Sequence, residues 1–402
     1  MNELLIKNGK VIDPAQGILD RRDIAINQGK ITEVAHEIPA AEAQRIIDAR
    51  GKIVTPGLID IHTHVADGLI PIGLTPDEGG VFSGVTTVCD AGSLGWANFA
   101  GMKKYVRPLA KTDIFCFLNI CSTGLAVMPE IWDWKNIDWD SLVRTIKENP
   151  ETIRGVKVRA TGSFVQNVGV AGIRRAKEVA VGEGLPLMVH LGIEPGEEPP
   201  DSAVSEFTKK LLSILDQGDI LSHAYTWKKG GIIKSEGVIL PEAKEAVQRG
   251  VLLDVSIART HFSFDLAKGG LAQKFLPYTI STDLTGININ EIVYSLPITM
   301  SKMLAAGLSL EQVVRMTTIN PAVVLKEDWR RGSLKVGFSA DISIFELKEG
   351  EFQFPDGVPG KTFKGGYFLT PLQTFKNGVE IKGKAILKAS NRRICRSFSY
   401  RS

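Results

Sequence analysis

The sequence predicts an α/β chain organised as a (β/α)8 TIM-type barrel, with a small β-sandwich domain formed by its N- and C-terminal segments. Three observations carry this expectation. Eight apolar, strand-like runs follow one another between residues 53 and 284. Most of the intervals between them carry helix-forming sequence. The stretches on either side have another texture, of short strands broken by glycine turns.

Residues 1–54 hold "LLIKNGKVID", "DIAINQGKITEVA" and "RIIDARGKIV", punctuated by Asn8-Gly9, Gly29 and Gly51. The eight runs follow, at 53–64, 85–92, 113–121, 153–161, 185–192, 219–226, 251–257 and 278–284. "GIRRAKEVAVGEG" at 172–184 places Ile173, Ala176, Val179 and Ala180 on one helical face and stops at glycine. "LPEAKEAVQRG" at 240–250 has proline in its first turn and glycine at its end. The stretch 291–318 supplies at least two more helices. Strands apolar on both faces and separated by helices imply parallel pairing with crossovers. Eight units in roughly 230 residues match a closed barrel of about 250. No G-x-G-x-x-G follows the first run, which counts against an open doubly wound sheet. The stretch 332–387 repeats the texture of the N-terminus. Neither end is long enough for a core alone, so 1–54 and 332–387 read as one discontinuous β-sandwich domain and 55–331 as the catalytic barrel.

The bulk numbers are those of an ordinary globular chain: 402 residues, 44% apolar and 23% charged. The net charge of +3 is local. The tail 388–402 carries Lys388, Arg392, Arg393, Arg396 and Arg401 with no acid, and without those five cations the body stands at −2. The tail is expected to be disordered. The body offers no basic face for nucleic acid or a membrane surface. Four cysteines without a CxxC suit reduced thiols and a cytoplasmic protein. The N-terminus reads as a strand rather than a signal peptide, and no apolar run reaches the ~18 residues of a membrane span. A small-molecule substrate is expected, with homo-oligomerisation possible.

Polar residues then interrupt the C-terminal ends of the runs. "PGLIDIHTH" at 56–64 places His62 and His64 in one strand phase with Asp60. Such a pair either binds a metal or is satisfied by hydrogen bonds. Lys157, His190, His223 and Asp283 follow, with His190 33 residues after Lys157 and His223 another 33 on. In a barrel, that end of the strands is where loops build the site. Four histidines and an aspartate have the chemistry of a divalent-metal centre. His36 reads as a surface residue, and His261, on the loop after the seventh run, has no assigned role.

Lys157, between Val156 and Val158, is costly inside a barrel if charged and unpaired. Burial favours its neutral amine. That amine can add carbon dioxide and become an anionic carbamate; the alternative is an ion pair with Asp283 or another carboxylate. Arg159, in the phase of Lys157, and Arg259 are candidates for holding a substrate carboxylate. Tyr225, in the phase of His223, either reaches a substrate carbonyl or packs. Trp132 and Trp134 could shape an apolar wall.

"PGLIDIHTH", the lysine of "GVKVR", the histidines of "VHLG" and "SHAYT", and "STDLTG" resemble the amidohydrolase superfamily of binuclear metal-dependent hydrolases. "GVKVRATGS", "MVHLG" and "SHAYTW" are most similar to its dihydroorotase-like deacetylase branch. The resemblance covers about 1–387. It implies that His62, His64 and Asp283 bind one divalent ion, that His190 and His223 bind a second, and that carboxylated Lys157 bridges the two, with zinc as the default metal. It also implies attack by a metal-bridging hydroxide on an amide or ester carbonyl, with Asp283 as the proton shuttle, in deacetylation of small N-acyl or O-acyl acids. The alternatives are a cyclic amidohydrolase of dihydroorotase or dihydropyrimidinase type, a D-aminoacylase, or a non-catalytic scaffold of the same fold. Val65-Ala66 follows His64 where dihydroorotases carry an arginine. Ser256-Ile257-Ala258 follows Asp254 where many relatives have Gly-His-Gly. The first departure removes the dihydroorotase grip on a substrate carboxylate, and the second points to a reshaped pocket.

Overall fold

Short β-branched runs bounded by glycine turns form the strands at the start of the chain. The structure is a computed structural model that describes residues 1–193 and 199–382. β1 (Asn2–Asp13), β2 (Ile18–Asn27) and β3 (Lys30–Ala35) make an antiparallel meander. β4 (Ala43–Asp48) and β5 (Ile53–Pro56) both run parallel to β1 and share its other edge, β4 against its first half and β5 against Lys10 and Val11. His36 is exposed here, as expected.

Only Gly57 separates β5 from β6 (Leu58–Thr63), the first strand of a second sheet. That sheet continues through β7 (Val85–Ala91), β8 (Asp113–Asn119), β9 (Ile153–Arg159), β10 (Leu187–His190), β11 (Ile220–Ser222) and β12 (Leu252–Asp254), every neighbour parallel. The eighth run, 278–284, is not a continuous strand. It meets both edges through single bridges, Thr63 to Leu284 and Asp254 to Thr279. Crossover helices include Trp139–Glu148, Gly169–Gly182, Asp201–Ile214, Pro241–Gln248 and Phe264–Ala272, followed by Leu296–Ala306 and Leu310–Thr317. Ser309 and Gln312 cap the last of these reciprocally. The first crossover is thinner than the sequence implied, with a single helical turn at Pro76–Gly79.

Both faces of the parallel strands are buried, which is why their sequences do not alternate. Val156, Val158, Val189 and Leu221 meet helix residues such as Ile173, Phe207 and Leu211. Ile59, Cys89, Phe115, Phe117, Met188 and Ile220 form a second cluster, with Ala322 and Leu325. Burying one such side chain stabilises the fold by roughly 1.5–3 kcal/mol.

The chain returns to the first sheet through β13 (Ile342–Pro355), β14 (Thr362–Lys376) and β15 (Val379–Glu380). β5 pairs with β13 as well as β1. The region expected as a sandwich is therefore one eight-stranded sheet in hydrogen-bonding terms, stitched edge to edge, that divides at β1. The long β13–β14 hairpin packs Phe354 and Phe368 into the main core. An ion network ties the two sheets together. Lys376 Nζ meets Asp113 at 2.7 Å and Asp341 at 2.6 Å, and Arg331 meets Asp113 at 2.8 Å and Glu327 at 3.1 Å.

No helix among the described residues is long and apolar enough to cross a membrane. The basic tail and Cys395 lie outside the described residues; Cys89, Cys116 and Cys121 are buried free thiols.

Candidate metal centre

β9 is regular from Ile153 to Arg159, so its alternate side chains Lys157 and Arg159 enter the same space. Lys157 is fully buried. A β-carbon on Gly92 would sit 2.5 Å from the Lys157 side chain, so glycine after β7 leaves the room it needs. Lys157 Nζ lies 3.3 Å from His62 Nε2 and makes no ion pair with a carboxylate among the described residues. Burial holds its ammonium down to about 7, while Asp283 and Asp254 pull weakly the other way. This favours the neutral amine over the ion-pair alternative.

β6 carries His62 and ends at Thr63, with His64 the next residue. His64 Nε2 is 2.9 Å and His62 Nε2 3.6 Å from Asp283 Oδ1, and His223 Nε2 is 3.7 Å from Asp283 Oδ2. Asp283 adopts a left-handed φ of 55°, and its N–H donates to the His62 carbonyl at 2.7 Å. Burial pushes the Asp283 carboxyl up, but His62, His64 and His223 outweigh that and keep it well below the usual carboxylate range. His190 Nδ1 faces His223 Nε2 at 2.8 Å. Burial holds the imidazoles of His62, His190 and His223 well below their ordinary value, and for His62 and His223 it outweighs the opposite pull of Asp283.

A surrounding shell orients these rings. Ser93 Oγ bonds His64 Nδ1 at 2.8 Å, Ser256 Oγ bonds His62 Nδ1 at 2.9 Å, and the Ser256 carbonyl accepts from His223 Nδ1 at 2.7 Å. Asp60 answers the question of its shared phase with the histidines. Its carboxylate accepts from the N–H of His62 and from the N–H and hydroxyl of Thr282, joining β6 to the eighth run. Asp254 holds Thr279 and Ser281 in the same way. Burial raises Asp60 to about 7 and Asp254 to about 6.

Two groups of donors thus converge, His62 with His64 and Asp283, and His190 with His223 and His261. The outer nitrogens of His62, His64 and His223 are tied to serines and a carbonyl, and His190 Nε2 is buried without a hydrogen-bond partner among the described residues. These residues fit divalent ions. His62, His64, His190, His261 and Asp283 line a cavity of about 470 Å³ together with Ile72, Leu125, Met128, Ile287 and Asn288, with His223 buried behind them.

The other candidates separate. Arg159 lines the cavity, and its Nη1 is paired with buried Glu130 at 3.0 Å. Arg259 stands at the mouth, half-exposed, with Nε 3.0 Å from Glu291. Tyr225 is not in the cavity wall: fully buried, it donates to the Phe275 carbonyl at 2.9 Å. The phase argument fails there because β11 ends at Ser222 and His223 turns left-handed, with φ of 67°. Trp132 and Trp134 are exposed and leave the apolar wall to Ile72, Leu125, Met128 and Ile287. Reading the sequence missed Ser93 and Glu130, for which nothing local gives a signal, and met Ser256 only as a departure from relatives, not as a partner of His62 and His223. It left His261 aside because no strand phase predicts a loop residue.

Comparison with known proteins identifies the family. The sequence profile described as "Amidohydrolase family" matches residues 53–383. A deacetylase of Agrobacterium fabrum (strain C58) is 35% identical over 358 residues, covering 88% of this chain and 85% of its own. A crystal structure of a dihydroorotase superposes with a TM-score of 0.83 at 32% identity, covering 96% of this chain and 98% of its own. A crystal structure of an adenine deaminase gives 0.85 at 29% identity, covering 95% and 100%. Matched along most of its length, the chain belongs to the amidohydrolase family, as a hydrolase acting on carbon–nitrogen bonds.

Proposed function

We propose that this amidohydrolase deacylates small N-acyl or O-acyl acids, with His62, His64, Lys157, His190, His223 and Asp283 holding two divalent ions. The observation that carries the reading is the meeting of two donor clusters beside Lys157 at one cavity, which five of their six residues line. The deacetylase relative supports the choice of reaction. Neutral imidazoles with a carboxylate suit zinc first among divalent ions. Bound there, the ions supply polarisation of the scissile carbonyl and a water acidic enough to attack at neutral pH.

The chain's own residues do the rest. The Lys157 amine, neutral in a large fraction near pH 7, adds through nitrogen to the carbon of carbon dioxide and sheds a proton. The product is a two-oxygen anion that can bridge both ions. Asp283 stays ionised, takes the proton released on attack and returns it to the leaving nitrogen or oxygen, a role worth ~10²–10⁴ in rate. Arg159, steadied by Glu130, and Arg259 at the mouth bind the substrate carboxylate. We also read the seven parallel strands and the bridged eighth run as a closed barrel, with the cavity at its C-terminal end.

Assaying N-acyl amino acids, O-acyl 2-hydroxy acids, dihydroorotate and hydantoins side by side, with metal analysis of the same sample, tests the proposal. Turnover of the acylated acids by metal-loaded protein is expected. Turnover confined to cyclic amides, or a metal content near zero after gentle purification, overturns it.

A further inference from the structure

One imidazole in the cavity lies outside the six residues assigned above. His261 is buried, and its ring centroid lies 4.2 Å from that of His223 and 4.7 Å from that of His190. The His190 and His223 centroids are 4.4 Å apart, so the three rings form a nearly equilateral triangle. One nitrogen from each lies within 4.8 Å of the other two. An ion with bonds of about 2.0–2.1 Å would draw them closer together.

Three features show that this triangle is built. The loop carrying His261 leaves β12 through Ser256 and Ala258, both left-handed, with φ of 41° and 51°. Non-glycine residues are seldom held there without surrounding constraint. Beside His190, Gly192 has φ of 106°, and a β-carbon on it would stand 3.1 Å from the His261 ring. Finally, Lys228 Nζ lies 3.0 Å from His261 Nε2. An ammonium only donates, so this imidazole turns a lone pair toward positive charge.

We propose that His261 is a third imidazole ligand of the second ion, beside His190 and His223, and that the Lys228 ammonium competes with that ion for His261 Nε2. This rests on the reading that the cavity binds divalent ions. One lone pair cannot serve both cations, so binding of the ion moves Lys228 aside. Removing the imidazole and removing the ammonium should then have opposite effects.

The experiment titrates the full chain, stripped of metal, with Zn²⁺ in competition with a chromogenic chelator, and in parallel with Co²⁺ followed by its visible absorption. His261→Ala should leave the first ion unchanged and weaken the second on the order of 100-fold or more, above the ~10–100-fold that outer-shell losses cost. The spectrum of the second Co²⁺ equivalent should change with it. Lys228→Met should tighten the second ion by roughly 10-fold. His261→Gln serves if the alanine variant does not fold. An unchanged second affinity and cobalt spectrum in the His261 variants overturns the ligand assignment. So does a lower melting temperature of the metal-free chain with metal affinity intact, the mark of a structural role. Second-ion binding in Lys228→Met that matches wild type removes the competition. Wild-type protein that takes up no ion refutes the underlying reading instead, and the wild-type titration alone shows this.

Discussion

Replacing Lys302 with methionine should make the protein more stable at neutral pH and poorer at holding its substrate. Lys302 sits on helix Leu296–Ala306 with no exposed surface. Burial holds its ammonium down to about 7 from an ordinary 10.5, and Asp356 restores only part of the difference. At ~1.4 kcal/mol per pH unit, keeping it protonated in the folded state costs roughly 4–5 kcal/mol. The unfolded chain keeps that proton up to about pH 10.5, whereas the folded chain releases it near 7. Between those values the unfolded state binds more protons, so stability rises with pH by about 1.4 kcal/mol per unit. Against the cost stands one hydrogen bond, from Nζ to the Ile292 carbonyl at 2.7 Å, worth roughly 1–3 kcal/mol. Lys302→Met should therefore gain about 2–3 kcal/mol at pH 6–7, and the gain should fade near pH 9. Urea denaturation at pH 6, 7, 8 and 9 reads both the sign and the slope. The same pH slope in both proteins, or a weaker variant at pH 6, would refute the reasoning. The lost bond also frees Ile292, held at φ of 35° in the loop after Thr285, Ile287 and Asn288 of the cavity wall. KM should rise by roughly 3–10-fold with kcat little changed, the pattern of lost ground-state binding.

Asp283→Asn should lower kcat by ~10²–10⁴ with an unchanged far-ultraviolet dichroism spectrum; full activity with metals bound would end its role as proton carrier. Ser93→Ala removes the hydroxyl at His64 Nδ1 and should weaken metal binding by ~10–100-fold in chelator competition. Tyr225→Phe deletes the bond to the Phe275 carbonyl and should cost about 1–2 kcal/mol in denaturant unfolding, with kcat/KM close to wild type. A large rise in KM would instead place Tyr225 in the pocket.

Strand phase was legible wherever a strand stayed regular up to its polar residue. β9 does, and Lys157 and Arg159 share the cavity as their spacing implied. β11 stops one residue before His223, and the left-handed turn there sends Tyr225 into the core. The same limit hid His261, whose position depends on two left-handed residues that no periodicity encodes. The eighth apolar run was visible, but its tie to β6 runs through Asp60 and Thr282, 222 residues apart. Edge-to-edge joining of the end segments was also hidden, because alternation reveals faces and says nothing of which edges meet.

The pairing of β5 with β13 carries a consequence for how the protein is made. Val54 aligns with Ile344, a separation of 290 residues. A ribosome adding about 5–20 residues per second needs roughly 15–60 s to cover that span. During that interval the nascent chain presents an open strand border beside the mouth of the exit tunnel. Such a border recruits any other extended polypeptide it meets, so the yield of native enzyme depends on how well the cell shields it until translation reaches the closing hairpin.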